Sequence, residues 1–169
     1  MYIVKMVHKN DADLIIPGLW LGNAKAAMDG DFLKENNIHA VFNCTKDQPF
    51  HSSVKKRYRV PVDDNLKHEE IRNMELWSYE IVYKLTKEHK QGNVLVHCYA
   101  GMQRSAAVVA MYLIGNHRMK KDNAITYIKR KRPIAFWPYV NFDKSIEDFQ
   151  QNYERDILPK LLNDLTSPK

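Results

Sequence analysis

The spacing of apolar residues along the first part of the chain predicts short strands and one helix. Residues 14–16 and 19–21 are apolar and flank Pro17-Gly18, which is typical of two strands joined by a turn. Residues 24–36 have a helical pattern that ends at a pair of asparagines. Two further apolar segments, residues 39–44 and 57–62, are predicted to be strands.

The second half of the chain predicts longer helices around one compact strand. Between residues 68 and 90, the apolar residues that recur at helical spacing are Ile71, Met74, Trp77, Ile81 and Leu85. Residues 94–96 are too short and too β-branched for a helix and indicate a strand. Residues 106–114 are apolar on all sides, which predicts a helix buried inside the domain. Residues 122–131 form a basic, amphipathic pattern that ends before Pro133.

A closing helix is indicated by apolar residues on one face: Ile146, Phe149, Tyr153, Ile157 and Leu161. Strands and helices therefore alternate, which favours an α/β fold with a twisted, mostly parallel central sheet and helices on both faces. The chain contains no internal repeat and no long linker. We expect residues 1–169 to form a single domain, with residues 1–12 as a candidate N-terminal extension.

Composition adds a preference for anionic partners and a reducing compartment. The 169 residues carry a formal net charge of +6, which suits phosphorylated protein, nucleic acid or a membrane headgroup. Only Cys44 and Cys98 are cysteines, fewer than a disulfide-stapled secreted domain would carry. No signal peptide and no apolar run of about 20 residues is apparent. We therefore expect a cytoplasmic or nuclear protein without a membrane span, and its oligomeric state stays open.

The candidate chemistry lies between the strand at 94–96 and the helix at 106–114. The residues there are His97, Cys98, Tyr99, Ala100, Gly101, Met102, Gln103, Arg104 and Ser105. A short loop before a helix N-terminus directs several backbone N–H groups and the helix dipole at one place, which favours an anion. Gly101 permits a tight bend, and the guanidinium of Arg104 matches two phosphate oxygens. The same field would stabilise a thiolate at Cys98, which would then be a nucleophile facing the phosphorus atom.

The alternative for Cys98 is an inert core cysteine, as most lone cysteines are. The histidine, glycine, arginine and serine at fixed distances from it disfavour that interpretation, because average residue usage seldom produces them together.

The segment HCYAGMQRS resembles the H-C-x-x-G-x-x-R-S/T signature of the protein tyrosine phosphatases, and specifically of the compact dual-specificity phosphatases. Residues 16–22, residues 41–45 and the Arg132-Pro133 pair resemble other parts of that family. The resemblance implies an enzyme that hydrolyses phosphotyrosine, phosphoserine and phosphothreonine monoesters of proteins through a cysteinyl-phosphate intermediate, without a metal or cofactor.

The resemblance also implies roles for individual residues. Cys98 becomes phosphorylated, Arg104 holds the phosphate and the transition state, and Ser105 assists the thiolate. His97 orients the loop from behind. The phosphate is bound by backbone N–H groups of Tyr99, Ala100, Gly101, Met102 and Gln103.

The general acid of the family is an aspartate in a P-x-x-D arrangement upstream. The segment PVDD at residues 61–64 places Asp64 there, with Asp63 as the alternative. Arg132 is where an arginine of the family can contact a second phosphate or an acidic substrate residue. Cys44 is either core filler or close enough to Cys98 to form a disulfide on oxidation.

The chain departs from the family at two positions, since Tyr139 replaces a common Asn and Ser145 a common Gln. We therefore expect the loop to be braced differently. Two other substrates, RNA 5′ phosphates or triphosphates and phosphoinositides, suit the same fold and loop. A phosphate-binding module without catalysis is a third alternative, which Cys98, Arg104 and Asp64 disfavour.

Overall fold

In the computed structural model of the protein, which describes residues 8–166, a central sheet has five strands. The strands are β1 (Ala12–Ile16), β2 (Leu19–Gly22), β3 (Ile38–Asn43), β4 (Lys56–Arg59) and β5 (Asn93–His97). Their order is β1-β2-β5-β3-β4. β1 pairs antiparallel with β2 and all other pairs are parallel, so the predicted mostly parallel α/β sheet is confirmed.

The described part of the chain also forms seven α-helices. They are α1 (Ala24–Ala27), α2 (Gly30–Glu35), α3 (His68–Gln91), α4 (Arg104–His117), α5 (Lys121–Lys131), α6 (Asp143–Asn152) and α7 (Leu158–Thr166). A π-helical turn, Tyr153–Ile157, joins α6 to α7.

Helices cover both faces of the sheet because successive side chains of β5 point to opposite faces. Val94 and Val96 belong to the larger core cluster, which also contains buried residues of α3, α4, α5 and α6. Leu95 belongs to a smaller cluster with Ala27 of α1 and Leu33 of α2. Residues 105–114 of α4 are all buried, as the unbroken apolar pattern predicts.

The register brings three parallel strands to a common edge. Gly22 at the end of β2 and Asn43 at the end of β3 both pair with His97, the last residue of β5. The segments that follow these strands therefore meet at one place, and the segment after His97 lies at its centre. Ligands of open α/β sheets bind at this edge.

Some predicted element boundaries were wrong. Residues 24–36 form two helices, because the side chain of Asp29 accepts a hydrogen bond from Phe32 N and starts a new helix at Gly30. The strand predicted at 57–62 is β4, which ends at Arg59. The closing helix is interrupted by the π-helical turn, which changes the angular spacing of the residues after it, and Leu161 is 44% exposed.

The N-terminal end of the described chain is part of the domain. Asn10 O accepts a hydrogen bond from Arg132, and Asp11 O accepts one from Asn23 N. Residues 10–12 are thus not an extension, and residues 1–7 lie outside the described range. Across residues 8–166, no helix combines the length and apolar composition that crossing a membrane requires.

Candidate active site

The segment between β5 and α4 forms a loop, residues 98–103, which we call the Cys98 loop. Cys98 Sγ lies 3.1 Å from Ser105 Oγ, and both residues are buried. The loop forms one wall of a pocket of about 310 Å³. The pocket is lined by Asp64, Cys98, Tyr99, Ala100, Met102, Gln103, Arg104, Trp137 and Asn141. A larger cavity of about 420 Å³ between α3 and α6 contains no cysteine.

Gly101 allows the Cys98 loop to pack closely against β2. Its φ is +68°, and a Cβ at this position would lie 2.6 Å from the carbonyl oxygen of Gly22. Only glycine adopts this conformation at such a short distance without displacing its neighbours. The close approach to Gly22 therefore explains why a glycine is needed at the predicted tight bend.

Arg132 holds the Cys98 loop from behind and does not reach the pocket. Its side chain is fully buried, with Nε donating to Gly101 O at 2.8 Å and Nη1 donating to Asp13 Oδ2 at 2.8 Å. The predicted contact between Arg132 and a substrate is therefore wrong, because a buried cation paired with a carboxylate cannot meet a second phosphate. Burial would raise the pKa of Asp13, but hydrogen bonds from Asn10, Arg132 and His8 hold it below its ordinary value.

The two candidate acids point in different directions. Asp63 pairs with Lys46 Nζ at 3.0 Å, and its backbone N donates to Glu70 Oε2 at 2.7 Å. Asp64 lines the pocket with Cys98. Of the two, Asp64 is the aspartate that lines the pocket containing Cys98.

Arg104, the first residue of α4, connects the loop to residues 61–64, which we call the acid segment. Its guanidinium lines the pocket, and Nη1 donates to Val62 O at 3.0 Å, two residues before Asp64. The structure thus brings together the predicted nucleophile, cation and acid.

Asn141 is a pocket residue that the sequence did not single out. Its side-chain amide donates to Asp64 Oδ1 at 3.0 Å, and its backbone N donates to Gln103 Oε1 at 3.0 Å. Gln103 also donates through Nε2 to the carbonyl oxygens of Tyr139, at 2.7 Å, and Trp137, at 3.2 Å. The one sequence feature that could have indicated Asn141 is its polar side chain, two positions after Tyr139, where the chain departs from the family pattern.

The two departures from the family have different consequences in the structure. Tyr139 contributes a backbone carbonyl to the bracing by Gln103, so this bracing does not need an asparagine side chain. Ser145 is remote from the loop, and its hydroxyl donates to Ile71 O at 2.6 Å, which joins α6 to α3.

His97 is a neutral residue beneath the Cys98 loop. It is fully buried, and burial lowers its pKa to about 4. Nδ1 lies 3.2 Å from Cys98 O and must donate, because a carbonyl oxygen only accepts. Nε2 has no hydrogen-bond partner among the described residues. His97 therefore contacts the loop backbone, not the pocket.

Cys44 lies immediately beyond β3, next to the end of β5. Its backbone N donates to His97 O at 2.8 Å, and its side chain is fully buried. Both cysteines are free thiols. Burial raises the pKa of the Cys44 thiol well above its ordinary value, and the nearby Cys98 contributes in the same direction. Within residues 8–166, no group of three or more His, Cys, Asp or Glu side chains is placed to hold a metal ion.

Comparisons with known proteins show what the chain as a whole resembles. Residues 19–152 match the family model described as the dual specificity phosphatase catalytic domain. Dual specificity protein phosphatase 1 of Arabidopsis thaliana is 34% identical over 149 residues, which are 86% of this chain and 72% of that protein. Human dual specificity protein phosphatase 4 is 34% identical over 122 residues, which are 71% of this chain and 30% of that protein. The crystal structure of DUSP15 superposes with a TM-score of 0.74 at 26% identity, covering 95% of this chain and 100% of that one.

Proposed function

This chain belongs to the dual specificity phosphatase catalytic-domain family and is a cysteine-dependent phosphoprotein phosphatase, and we propose that Cys98, Arg104 and Asp64 carry out its reaction. The observation that supports these roles is one pocket lined by all three side chains, with the Ser105 hydroxyl 3.1 Å from the sulfur. The resemblance of the Cys98 segment to the family signature and the shared pocket both support these roles.

In the first step the Cys98 thiolate attacks the phosphorus atom of a phosphomonoester. A bond forms between sulfur and phosphorus while the bond to the substrate oxygen breaks. Asp64 gives its proton to that oxygen, so an alcohol or phenol leaves in place of an unstable anion. The Arg104 guanidinium and the backbone N–H groups of the Cys98 loop bind the three phosphoryl oxygens.

In the second step a water molecule hydrolyses the cysteinyl phosphate. Asp64, now ionised, takes a proton from the water as its oxygen attacks phosphorus. The sulfur–phosphorus bond breaks, inorganic phosphate leaves, and the sulfur departs as a thiolate. The Ser105 hydroxyl supports that departure, because it can donate a hydrogen bond to the developing negative charge.

The charges in the pocket favour a single phosphate group. Among the described residues that line it, Arg104 is the one cation, and the loop positions Tyr99, Ala100, Met102 and Gln103 are uncharged. A polyphosphate on RNA or a multiply phosphorylated inositol would need further cations. We therefore propose phosphotyrosine, phosphoserine and phosphothreonine of proteins as substrates, in preference to those two classes.

Two further proposals concern the surroundings of the reaction. Cys44 would be the partner of Cys98 under oxidation, since its backbone N bonds to His97 O, next to Cys98, and the two cysteines are close enough to interact electrostatically. Two free cysteines suit the reducing cytoplasm or nucleus, which we propose as the location.

The test compares the wild type with Cys98→Ser. The variant should lose turnover of an aryl phosphate and still bind phosphate, because a serine hydroxyl stays protonated where a thiolate would form. Retention of turnover within tenfold would contradict the mechanism. The wild type should also favour a doubly phosphorylated peptide, by kcat/KM, over triphosphate-ended RNA and a soluble phosphoinositide. A tenfold preference for either alternative would reassign the substrate.

A further inference from the structure

We propose that this phosphatase selects phosphopeptides with aliphatic or aromatic residues beside the phosphorylated residue, through a surface formed by Tyr99, Met102 and Trp137. The inference rests on the proposed function and specifies its substrate class. We call these three residues the apolar rim, since all three line the pocket that contains Cys98.

The apolar rim offers ring surface that the fold itself leaves uncovered. Tyr99 is 65% exposed and Trp137 is 47% exposed. Within the described part of the chain, neither ring stacks on another aromatic ring or a cation. Exposed aromatic side chains grouped at a pocket are typical of a surface that binds a ligand.

The backbone beneath the apolar rim is fixed. Tyr99 O accepts a hydrogen bond from Ala24 N at 3.0 Å, at the start of α1. Met102 O accepts one from Phe136 N at 2.8 Å, and Phe136 is itself buried. The next residue, Trp137, is held through its carbonyl oxygen by Gln103. Because these positions are already ordered, binding a side chain against them costs little conformational entropy.

The polar side chains of the pocket already have hydrogen-bond partners or a role in the proposed reaction. Both ends of the Gln103 amide bond to backbone groups, and the Asn141 amide bonds to Asp64. Arg104 and Asp64 act on the phosphate in the proposed reaction. Around the phosphate, the remaining surface of the pocket is therefore that of the apolar rim.

Apart from Arg104, which is assigned to the phosphate, the described residues that line this pocket offer no cation to an acidic residue beside the phosphorylated residue. Arg132, the cation that could have met one, is buried against Asp13. A carboxylate placed against the rings would lose hydration without gaining a charge partner, whereas an aliphatic or aromatic side chain would bury apolar surface. These opposite effects should produce selectivity between the two kinds of peptide.

The experiment measures kcat/KM for phosphopeptides that are identical except for the residues on both sides of the phosphorylated residue, which are leucine in one and glutamate in the other. We expect the wild type to prefer the leucine peptide by roughly tenfold or more, the range that an apolar contact surface provides. Equal values, or a preference for the glutamate peptide, would overturn the inference. If neither peptide is a substrate, the proposed function itself fails.

Variants then locate the selectivity. In Trp137→Ala and Tyr99→Ala the leucine-to-glutamate ratio should fall several-fold, and the ratio within each variant cancels any general loss of activity. Trp137→Lys should shift the preference towards glutamate, because it places a cation at the same position. Tyr83→Ala removes a ring that is 72% exposed on α3 and should leave the ratio unchanged. An unchanged ratio in both Trp137 variants would contradict the inference.

A lipid phosphate is the competing class of ligand for an apolar surface beside a phosphate site. Vesicles that contain a monophosphorylated phosphoinositide provide the comparison. A rate on vesicles that exceeds the leucine peptide's by tenfold, and that Trp137→Ala lowers, would overturn the assignment to phosphopeptides. A rate below the leucine peptide's supports it.

Discussion

The carboxylate of Asp64 accepts a hydrogen bond from the side-chain amide of Asn141, with 3.0 Å between Oδ1 and Nδ2. These residues are 77 positions apart in sequence, and both line the pocket that contains Cys98. The backbone N of Asn141 is bonded to Gln103, a residue of the Cys98 loop. Asn141 thus connects the proposed general acid to the loop that we propose binds the phosphate.

Replacing Asn141 by alanine should lower turnover by about tenfold, the rate equivalent of one hydrogen bond to a charged group. The backbone bond to Gln103 survives this change, so the loop stays braced. Because Asn141 acts through Asp64, the loss should shrink for substrates with good leaving groups. In an Asp64→Asn background the same substitution should have little further effect, and a full additional loss would contradict the positioning role. Gln151→Ala, on the exposed surface of α6, is the matched control.

Asp64→Asn should lower turnover of a poor leaving group by about 100- to 1000-fold, which is the usual cost of losing general acid catalysis. Asp63→Asn should have a much smaller effect, because Asp63 is paired with Lys46. Rates for a series of aryl phosphates with leaving groups of different acidity separate the two aspartates. If only Asp63→Asn shows a leaving-group dependence, the assignment of the acid is wrong by one residue.

Arg132→Met should destabilise the fold by about 3 kcal/mol, the usual scale for breaking a buried ion pair from one side. The substitution removes the partner of Asp13 and leaves the carbonyl oxygen of Gly101 without its donor. Chemical denaturation measures the free energy of unfolding. Arg130→Met, two residues away at an exposed position of α5, should change the free energy of unfolding by less than about 0.5 kcal/mol. Equal stability of the two variants would show that Arg132 does not brace the loop.

His97 should make the folded protein less stable as the pH falls from about 6.5 to about 4. Burial lowers its pKa from 6.5 to about 4 in the folded state, so within this range the unfolded chain binds a proton that the folded protein does not. At pH values above 6.5 both states are neutral at this position and no penalty remains. The expected loss at pH 4 is about 3 kcal/mol.

The measurement for His97 is the free energy of unfolding at several pH values. His97→Gln should show a shallower decline between pH 6.5 and pH 4 than the wild type. His68→Gln, at an exposed position of α3, should decline as the wild type does. Parallel curves for the wild type and His97→Gln would contradict a neutral, buried His97.

Mild peroxide should inactivate the enzyme, and a thiol reductant should restore it. Peroxide converts the Cys98 thiolate to a sulfenic acid, and attack by the Cys44 sulfur then forms a disulfide and releases water. Because burial raises the pKa of Cys44, we expect this second step to be slow. Mass spectrometry should detect a Cys44–Cys98 disulfide, and Cys44→Ser should make inactivation harder to reverse. Finding only sulfinic or sulfonic Cys98 in the wild type would show that Cys44 is a buried core residue without a redox role.

The features that the sequence predicts well are those that depend on neighbours in the chain. The apolar spacing around Met74 and Leu85 identifies α3, and the unbroken apolar run after Ser105 identifies a buried α4. The Cys98 loop is recognisable because Cys98, Gly101 and Arg104 lie within seven residues of one another in the sequence. Residues 24–36 have one continuous helical pattern but also contain Asp29, which caps a second helix. The single helix predicted there was therefore wrong.

The features that the sequence does not reveal depend on the direction of a side chain in three dimensions. Arg132 belongs to a pair that resembles the family, but the direction of its side chain depends on Asp13, 119 residues away, which pairs with the buried guanidinium. Asn141 stands out only once the end of the chain is folded against the acid segment. Long-range polar contacts of this kind leave no periodic signal in the sequence.

The hydrogen bonds that hold the acid segment also affect which phosphoproteins the enzyme can use as substrates. Glu70 accepts a hydrogen bond from the backbone N of Asp63, and Asn141 donates one to the carboxylate of Asp64, so the proposed proton donor is in place before a substrate arrives. An enzyme of this kind does not need to close over the phosphorylated residue, and its catalytic rate should be insensitive to solvent viscosity. A requirement for loop closure would then not exclude a phosphate on the flat surface of a folded protein.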